Sequence, residues 1–453
     1  MTMTINTITR AISDPSADGI ARGIGALVTD ESLPAGTRLP TVRELADALD
    51  VSPTTVGDAW QILRRHRIID TEGRRGSFVR EISMGPSVRY WQVPATGGAI
   101  EIDLGSGVPD ARLLPNPLKS LQSLAGTPAV ASYLEAPVLP ELEDILTRRW
   151  PFEPERLTVL NGAMDALDRL IQATVNIGDK VGISDPGFPP LFDMLDLAGA
   201  ESIPLPLDAE GLEPNAVEGG VASGMSVLIV QPRAHNPTGI SMTASRRDEL
   251  AAILAKAPIT ILEDDHSGLV SNAELFSLGE VIPSQVVHVH SFSKSHGPDF
   301  RIAAVGGAAE PISAVERRRM LGPSWTSRLL QEILATMLRS KPIEASVEQA
   351  ARTYARRRAD LVGELATHGI EVAGEHGLNI WIPVSDEATA VPMLSAHGIG
   401  VARGRPFRLI PADTHFIRVT TSALDSNIQE IAIRLAEAAE GGLGVPEQNG
   451  GQR

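Results

Sequence analysis

A chain of 453 residues is too long for one small domain and long enough for a large core or two to three domains. Its 43% hydrophobic and 21% charged content is that of an ordinary globular protein, and the lack of cysteine excludes a disulfide framework, thiol catalysis and cysteine-ligated metal, which fits a reducing cytoplasm. The net charge of −16 weighs against nucleic acid as a partner, but the location of charge matters more than its sum: residues 61–80 set Arg64, Arg65, Arg67, Arg74, Arg75 and Arg80 against only Asp70 and Glu72.

In chain order, Met1 to Asp14 lacks the charged region and apolar run of a signal peptide, and apolar runs such as Val227–Val230 are too short to span a bilayer, so no membrane partner is expected. Ile20, Ile24, Leu27 and Val28 predict one amphipathic helix; Val42, Leu45, Ala46 and Leu49 predict a second; Val56, Ala59, Trp60 and Leu63 predict a third. Between the last two, Ser52 suits an N-cap and Pro53 a first helical turn, which makes the pair a helix-turn-helix. Ser52, Thr54 and Thr55 then stand at a helix N-terminus, where short hydroxyls reach phosphates or base edges. Residues 68–70 and 77–79 read as two strands joined by Gly73-Arg74-Arg75-Gly76, a tip suited to touching a DNA backbone or minor groove.

Leu39-Pro40-Thr41-Val42-Arg43-Glu44-Leu45-Ala46, Val51-Ser52-Pro53-Thr54-Thr55-Val56 and Gly76-Ser77-Phe78-Val79 together resemble the GntR-type winged helix. The resemblance implies that residues 1–80 bind double-stranded operator DNA, with Thr41, Arg43, Ser52, Thr54, Thr55, Arg74, Arg75 and Gly76 at the interface. The bland alternative for three amphipathic helices is a protein-interaction domain.

Residues 81–100, with Ser83, Gly85, Pro86, Pro94, Gly97 and Gly98, read as a linker. Beyond it, short apolar runs alternate with helical stretches, the pattern of an α/β domain with a mostly parallel sheet over 101–440; residues 441–453 read as a disordered tail. Leu160-Asn161-Gly162-Ala163-Met164 passes from strand through glycine into a helix whose first N–H groups suit phosphate. Asn236, in Pro232-Arg233-Ala234-His235-Asn236-Pro237, follows the strand 227–230. Thr260 to Asp265 is an apolar strand ending in carboxylates: a partner for a pyridinium nitrogen, a solvated acidic loop, or a metal site for which no ligand spacing lies nearby, so no metal is expected. Lys294, among Ser291, Phe292, Ser293 and Ser295, is either a Schiff-base lysine or a solvated one, and Arg301 comes seven residues later, placed to pair with a phosphate.

The order of these segments resembles fold-type I aminotransferases that use pyridoxal 5'-phosphate. The implied fold is α/β, an N-terminal winged helix-turn-helix plus a large domain with a mostly parallel sheet and a smaller C-terminal α+β subdomain. Carried over, the resemblance implies that Gly162, Ala163 and Met164 hold phosphate, with Ser291, Ser293 and Arg301 beside it. Phe188 would stack on the ring, Asn236 bind its oxygen and Asp264 its nitrogen, and Lys294 carry the aldimine. Tyr133 would reach a neighbouring subunit's phosphate, Arg418 would clamp a ligand carboxylate, and Gly107 would lie in the loop at the mouth of the site. His266 departs from the pattern, standing where a tyrosine backs the ring oxygen; Phe188 lacks the commoner hydroxyl, and Val138 replaces a glycine.

Two arginine triplets, Arg317-Arg318-Arg319 and Arg356-Arg357-Arg358, read as solvated helix faces, and His235 and His296 as structural or solvent-facing side chains. A GntR-type reader fused to an aminotransferase-like domain is the architecture of the MocR subfamily. That implies a cytoplasmic, nucleoid-associated, head-to-tail homodimer exchanging DNA-binding domains, which senses an amino-acid-like or vitamer effector through Lys294. The alternatives are a working aminotransferase with an appended DNA-binding domain, or a DNA-binding protein whose large domain has lost its cofactor.

Overall fold

The structure, a computed structural model, describes residues 2–12, 14–29, 32–34, 36–65, 68–71, 76–79, 89, 100–122, 132–133 and 135–441. The chain divides into two compact units, one built mainly on residues 1–88 and one on most of 89–453.

The smaller unit comprises α1 (Thr2–Ala11), α2 (Ala17–Thr29), α3 (Val42–Leu49), α4 (Pro53–Arg65), β1 (Ile69–Thr71) and β2 (Ser77–Val79). The apolar stripes that predict α2, α3 and α4 meet in one core, where Ile20, Ile24, Leu45, Val56 and Leu63 are fully buried. Helix α1 is additional to the expected three. Its threonine-rich sequence holds few large apolar residues, yet Ile8 is wholly buried in the same core. Thr41 caps α3 in a capping box: it accepts the Glu44 N–H at 3.3 Å, and Glu44 accepts the Thr41 N–H at 2.8 Å. Asp50, left-handed at φ 55°, closes that helix. Ser52 then accepts the Thr55 N–H at 3.1 Å and so opens α4, as expected of an N-cap. Strands β1 and β2 pair antiparallel, and Arg38 bridges Phe78 from a third segment that the sequence pattern does not announce.

The larger unit opens with β3 (Ile102–Asp103), α5 (Leu118–Gln122) and α6 (Pro140–Arg149). Its main body continues as β4 (Arg156–Leu160), α7 (Ala163–Thr174), β5 (Lys180–Ser184), α8 (Pro189–Ala198) and β6 (Glu201–Leu205), then the short hairpin β7 (Leu207–Asp208) and β8 (Gly211–Leu212). Next come α9 (Pro214–Ala222), β9 (Met225–Val230), α10 (Ala244–Leu254), β10 (Thr260–Asp265), β11 (Val286–Ser291), β12 (Ala303–Gly307), α11 (Ala309–Arg319) and α12 (Arg328–Arg339). The 27-residue α13 (Lys341–Thr367) leads into β13 (Asn379–Val384), α14 (Glu387–Ala396), β14 (Ile399–Gly400), β15 (Ala402–Arg403), β16 (His415–Thr420) and α15 (Ile428–Ala439).

Seven strands form the main sheet in the order β4-β12-β11-β10-β9-β5-β6. Every neighbouring pair is parallel except those of β12, which runs against both β11 and β4. The central strands are covered on both faces, which is why they read as unbroken apolar runs. A smaller antiparallel sheet, β13-β16-β15, packs with α13, α14 and α15 around its own core, and β3 pairs with β14 beside it. This is the expected α/β architecture with a C-terminal subdomain.

The arginine triplets depart from expectation. Arg317, Arg318 and Arg356 are exposed, but Arg319, Arg357 and Arg358 are buried. Arg319 donates to the Val159 carbonyl at 2.8 Å, Arg357 pairs with Asp110 at 2.9 Å, and Arg358 donates to the Gly374 carbonyl at 2.9 Å. Three consecutive helical residues fan across some 200°, so they do not share one face, and a run of like charge does not by itself mark a solvated one. Glu440 caps α15, and the Gly441 N–H bonds the Ala438 carbonyl; residues 442–453, most of the expected tail, lie outside the described ones. Of the expected linker, only Arg89 and Ile100 are described; Arg89 bonds Asp193 through its backbone N–H at 3.0 Å and its guanidinium at 2.7 Å.

Candidate functional site

The parallel strands deliver the expected residues to one edge of the main sheet, where α/β folds hold their ligands. Asn236 comes after β9, Asp264 lies near the end of β10, and Ser291, Ser293 and Lys294 come at or just after the end of β11. Asp264 is 1% exposed; its Oδ2 accepts from Gln231 Nε2 at 2.7 Å, while its Oδ1 is buried with no hydrogen-bond partner. Burial pushes this carboxyl up to about 6, and the Gln231 bond opposes that rise. Lys294 donates its ε-amine to the Gly107 carbonyl. Burial, then the charge of Arg418, push the Lys294 ammonium down to about 8, so its free-amine form is reached far more easily than in solvent. His266 lies two residues after Asp264; burial, then the charge of Lys294, push it down to about 4, and its buried Nδ1 has no partner.

A second group gathers at the start of α7. Gly162 stands at the N-cap with φ 93°, a region glycine enters without strain, and no side chain caps the helix. A Cβ added there would lie 3.3 Å from the Arg301 guanidinium carbon, so glycine is what allows Arg301 to close over this helix terminus. Ala163 is buried and Met164 half-buried in the first turn. Ser291 is buried and accepts the Ser293 N–H at 3.3 Å. Phe188 is half-buried in the turn between β5 and α8.

Arg418 comes from β16 in the smaller sheet, 2% exposed, with its guanidinium 5.1 Å from the centre of the Phe407 ring. It donates to the Gly105 carbonyl and, at 3.4 Å, to Asn236 Oδ1. Gly107 has φ 68°, and a Cβ there would meet the Arg418 guanidinium at 3.4 Å. One loop, residues 105–107, therefore touches both Lys294 and Arg418. Tyr133 is the exception among the expected residues: it is 85% exposed, its ring centre 6.2 Å from that of Trp325.

On the other face of β10 and β11, register aligns Glu263 with His288 and Asp265 with His290. Sequence spacing along β10 alone hides this cluster, in which Asp265, His288 and His290 offer ligand atoms within 4.8 Å of one another. Ligand spacing that the sequence does not display is therefore brought together by strand register, and both Asp265 oxygens bond Arg233, at 2.8 and 2.7 Å. His235 is buried between Ser184 and Thr238, each at 2.9 Å, and burial pushes it down to about 3. His296 is buried against Ser295 at 2.9 Å. Both are buried rather than solvent-facing.

In the smaller unit, Arg43 and Thr54 are exposed on α3 and α4. Thr41, Ser52 and Thr55 are engaged in helix capping, the last two with hydroxyls 2.8 Å apart. Gly76, at φ 106°, directly precedes β2, and a Cβ there would lie 3.2 Å from Arg38 Nε. Arg74 and Arg75 lie outside the described residues. Sequence reasoning missed Gln231, Arg233 and Arg38. A polar residue directly after an apolar strand was the available signal for Gln231; pairing across strands and segments, which sequence does not display, reveals the other two.

Residues 16–79 match the bacterial regulatory proteins of the gntR family, and residues 99–435 match aminotransferase class I and II. The vitamin B6 salvage pathway transcriptional repressor PtsJ of Salmonella typhimurium is 32% identical over 438 residues, covering 94% of this chain and 99% of that protein. The HTH-type transcriptional regulator TauR of Rhodobacter capsulatus is 27% identical, covering 59% of this chain and 56% of its own. Among solved structures, the kynurenine aminotransferase of Pyrococcus horikoshii superposes with a TM-score of 0.70 at 21% identity, covering 76% of this chain and 91% of that one, a likeness of fold. The chain belongs to the MocR subfamily of GntR-type transcription regulators, in which a winged helix-turn-helix is joined to an aminotransferase class I and II domain of the pyridoxal phosphate type.

Proposed function

We propose that this regulator binds operator DNA through residues 1–80, reaches across a linker at 81–100, and senses an amine-bearing ligand at Lys294 in the domain over 101–440. The observation that carries the reading is Asp264: a buried carboxylate with one oxygen unpartnered, on the strand next to the one that leads to Lys294. Such an orphan acceptor is costly unless a donor arrives, and a protonated pyridine nitrogen is such a donor. Pyridoxal phosphate fits the rest: Gly162, Ala163, Met164, Ser291, Ser293 and Arg301 for its phosphate, Phe188 against its ring, Asn236 and His266 for its ring oxygen, and Lys294 for its aldehyde. When bound, this cofactor supplies an electrophilic carbon that amines attack and a ring that withdraws electrons.

The residues then divide the work of sensing. Lys294 would hold the cofactor's aldehyde carbon, and burial with the charge of Arg418 brings its ammonium down to about 8, so a substantial share of the amine is unprotonated near that pH. Arg418 exchanges the Gly105 carbonyl for the effector's carboxylate, which selects molecules bearing both groups. Because the ligand must bind one conformation better than another to change DNA affinity, the loop at 105–107 is the natural reporter of occupancy. The vitamer itself is the other effector to test, since the Salmonella relative is named as a vitamin B6 salvage repressor.

Arg43 and Thr54 are the exposed candidates for base or phosphate contact, with Thr41, Ser52, Thr55 and Gly76 shaping the elements that carry them, and Arg38 added beside Gly76. We read the functional unit as a head-to-tail homodimer. The 85% exposure of Tyr133 and the exposed Leu321, Leu329 and Met320 support a covering second copy.

The test is the visible absorption spectrum of the purified protein with pyridoxal phosphate, before and after a panel of amino acids, alongside operator retention in a gel. A band that shifts with one amino acid and persists, with changed DNA retention, is the expected outcome. A band lost to an amino acid and restored by a keto acid would instead identify a working aminotransferase, which the full set of Lys294, Asp264, Asn236 and Arg418 keeps as the second reading. No band at all, even with excess cofactor, would overturn the cofactor assignment.

A further inference from the structure

Gln231 ties together the two halves of the candidate site. It comes directly after β9 and is 8% exposed. Its Nε2 donates to Asp264 Oδ2 at 2.7 Å, and its Oε1 accepts the Asn236 backbone N–H at 2.8 Å. Asn236 in turn accepts from Arg418 at 3.4 Å through its own side-chain oxygen. A single amide thus spans from the carboxylate assigned to the ring nitrogen to the loop that contacts the arginine assigned to the effector.

The chemistry at each end fixes the amide's orientation. Flipped, it would set oxygen against the Asp264 carboxylate and a donor against the Asn236 donor, two repulsive contacts in place of two bonds. Gln231 therefore occupies Oδ2 and leaves Oδ1 as the oxygen open to a ligand. Its bond also opposes the effect of burial, favouring the ionised Asp264 that a protonated ring requires.

We propose that Gln231 is a positioning residue that aims the Asp264 carboxylate at the cofactor's ring nitrogen and couples it to the loop at Asn236, which contacts Arg418, the arginine assigned to the effector. The inference rests on Asp264 being the partner of that ring nitrogen, and two variants separate the two bonds of Gln231. Gln231→Glu keeps an acceptor for the Asn236 N–H and can donate to Asp264 only while the pair of carboxyls shares a proton; once that proton is lost, the bond goes and a like charge stands beside Asp264. Gln231→Met has similar length and makes neither bond.

The experiment uses the full chain loaded with pyridoxal phosphate, and the probe is 2-methylalanine, an amine and carboxylate with no removable α-hydrogen. Wild type is expected to show the visible band and respond to the probe. In Gln231→Glu the cofactor should dissociate about tenfold more readily once the carboxyl pair has lost its shared proton, as befits one lost hydrogen bond to a charged group, and the pH titration of the band should move. Its affinity for the probe should change by less than about threefold, as for a site whose own contacts are kept. Gln231→Met should weaken both. A merely structural role would lower the melting temperature without moving the titration. If Gln231→Met loads cofactor with wild-type affinity and titration, or Gln231→Glu shows the same titration as wild type across the whole pH range, the proposal is overturned. If Gln231→Glu does not fold, Gln231→Met alone decides the matter by the same measurements. A wild-type chain that shows no band at all overturns the Asp264 reading itself, a different failure.

Discussion

On β10, Asp264 and Asp265 are neighbours in sequence, equally buried, and turned to opposite faces of the sheet. Asp264 keeps one oxygen unpartnered, and burial pushes it up to about 6. Burial would raise Asp265 too, but Arg233 on both its oxygens and His290 at 2.9 Å hold it well below the usual carboxylate range. One face of the strand is closed on itself and stabilises the fold; the other is left open to a ligand. Residue type distinguishes nothing here. The surroundings of each carboxylate decide its chemistry.

The comparison can be broken most directly at Asp265. Asp265→Asn leaves the Arg233 guanidinium, 11% exposed, without its counter-charge, and should destabilise the fold by about 3–5 kcal/mol in urea unfolding. Unchanged stability would mean that the closed face carries no more weight than the open one. Asp264→Asn should do the reverse: unfolding of the cofactor-free protein little altered, and cofactor affinity reduced roughly ten- to a hundredfold for the loss of a charged hydrogen bond, read from absorbance titration. If the two variants gave the same pattern, the division of labour would fail.

The smallest effect sharpens the open face. Cofactor attachment needs the Lys294 amine unprotonated, and its proton is lost at about 8 rather than at the 10.5 of an ordinary lysine. The rate at which cofactor-free protein acquires its visible band should therefore rise about tenfold per pH unit below 8 and level off above it. A rate still climbing in the same way past pH 9 would show that this lysine behaves as a solvated one.

Much of the molecule is legible in the chain, for identifiable reasons. The helix-turn-helix announces itself through local chemistry: Thr41 with Glu44, Ser52 before Pro53, and apolar residues three and four apart. The candidate site residues cluster at strand ends, where motif and topology coincide, so Lys294, Asp264, Asn236 and Gly162 can be named from sequence as candidates. The features that escape depend on pairing between distant segments. The Asp265–His290 contact needs the β10–β11 register, and Arg38 beside Gly76 needs the wing's third segment. Gln231 reaches Asp264 across 33 positions of sequence. Arg319 misleads because a run of like charge suggests solvent, although helical geometry fans such a run around the axis.

The reversal of β12 has a consequence for how the site is assembled. In a wholly parallel sheet, only the segment leaving a strand can lie at the ligand edge. Because β12 runs the other way, the segment entering it arrives there too, between the ends of β4 and β11, where Ala303 pairs with Leu160 and with Ser291. Arg301 sits two residues before that pairing, and Lys294 three residues after Ser291. The lysine and the arginine are thus the two ends of one short reversed connection between adjacent strands. Their separation is set by a turn rather than by the docking of independent elements, so a rigid molecule spanning both is measured against a ruler built into the backbone.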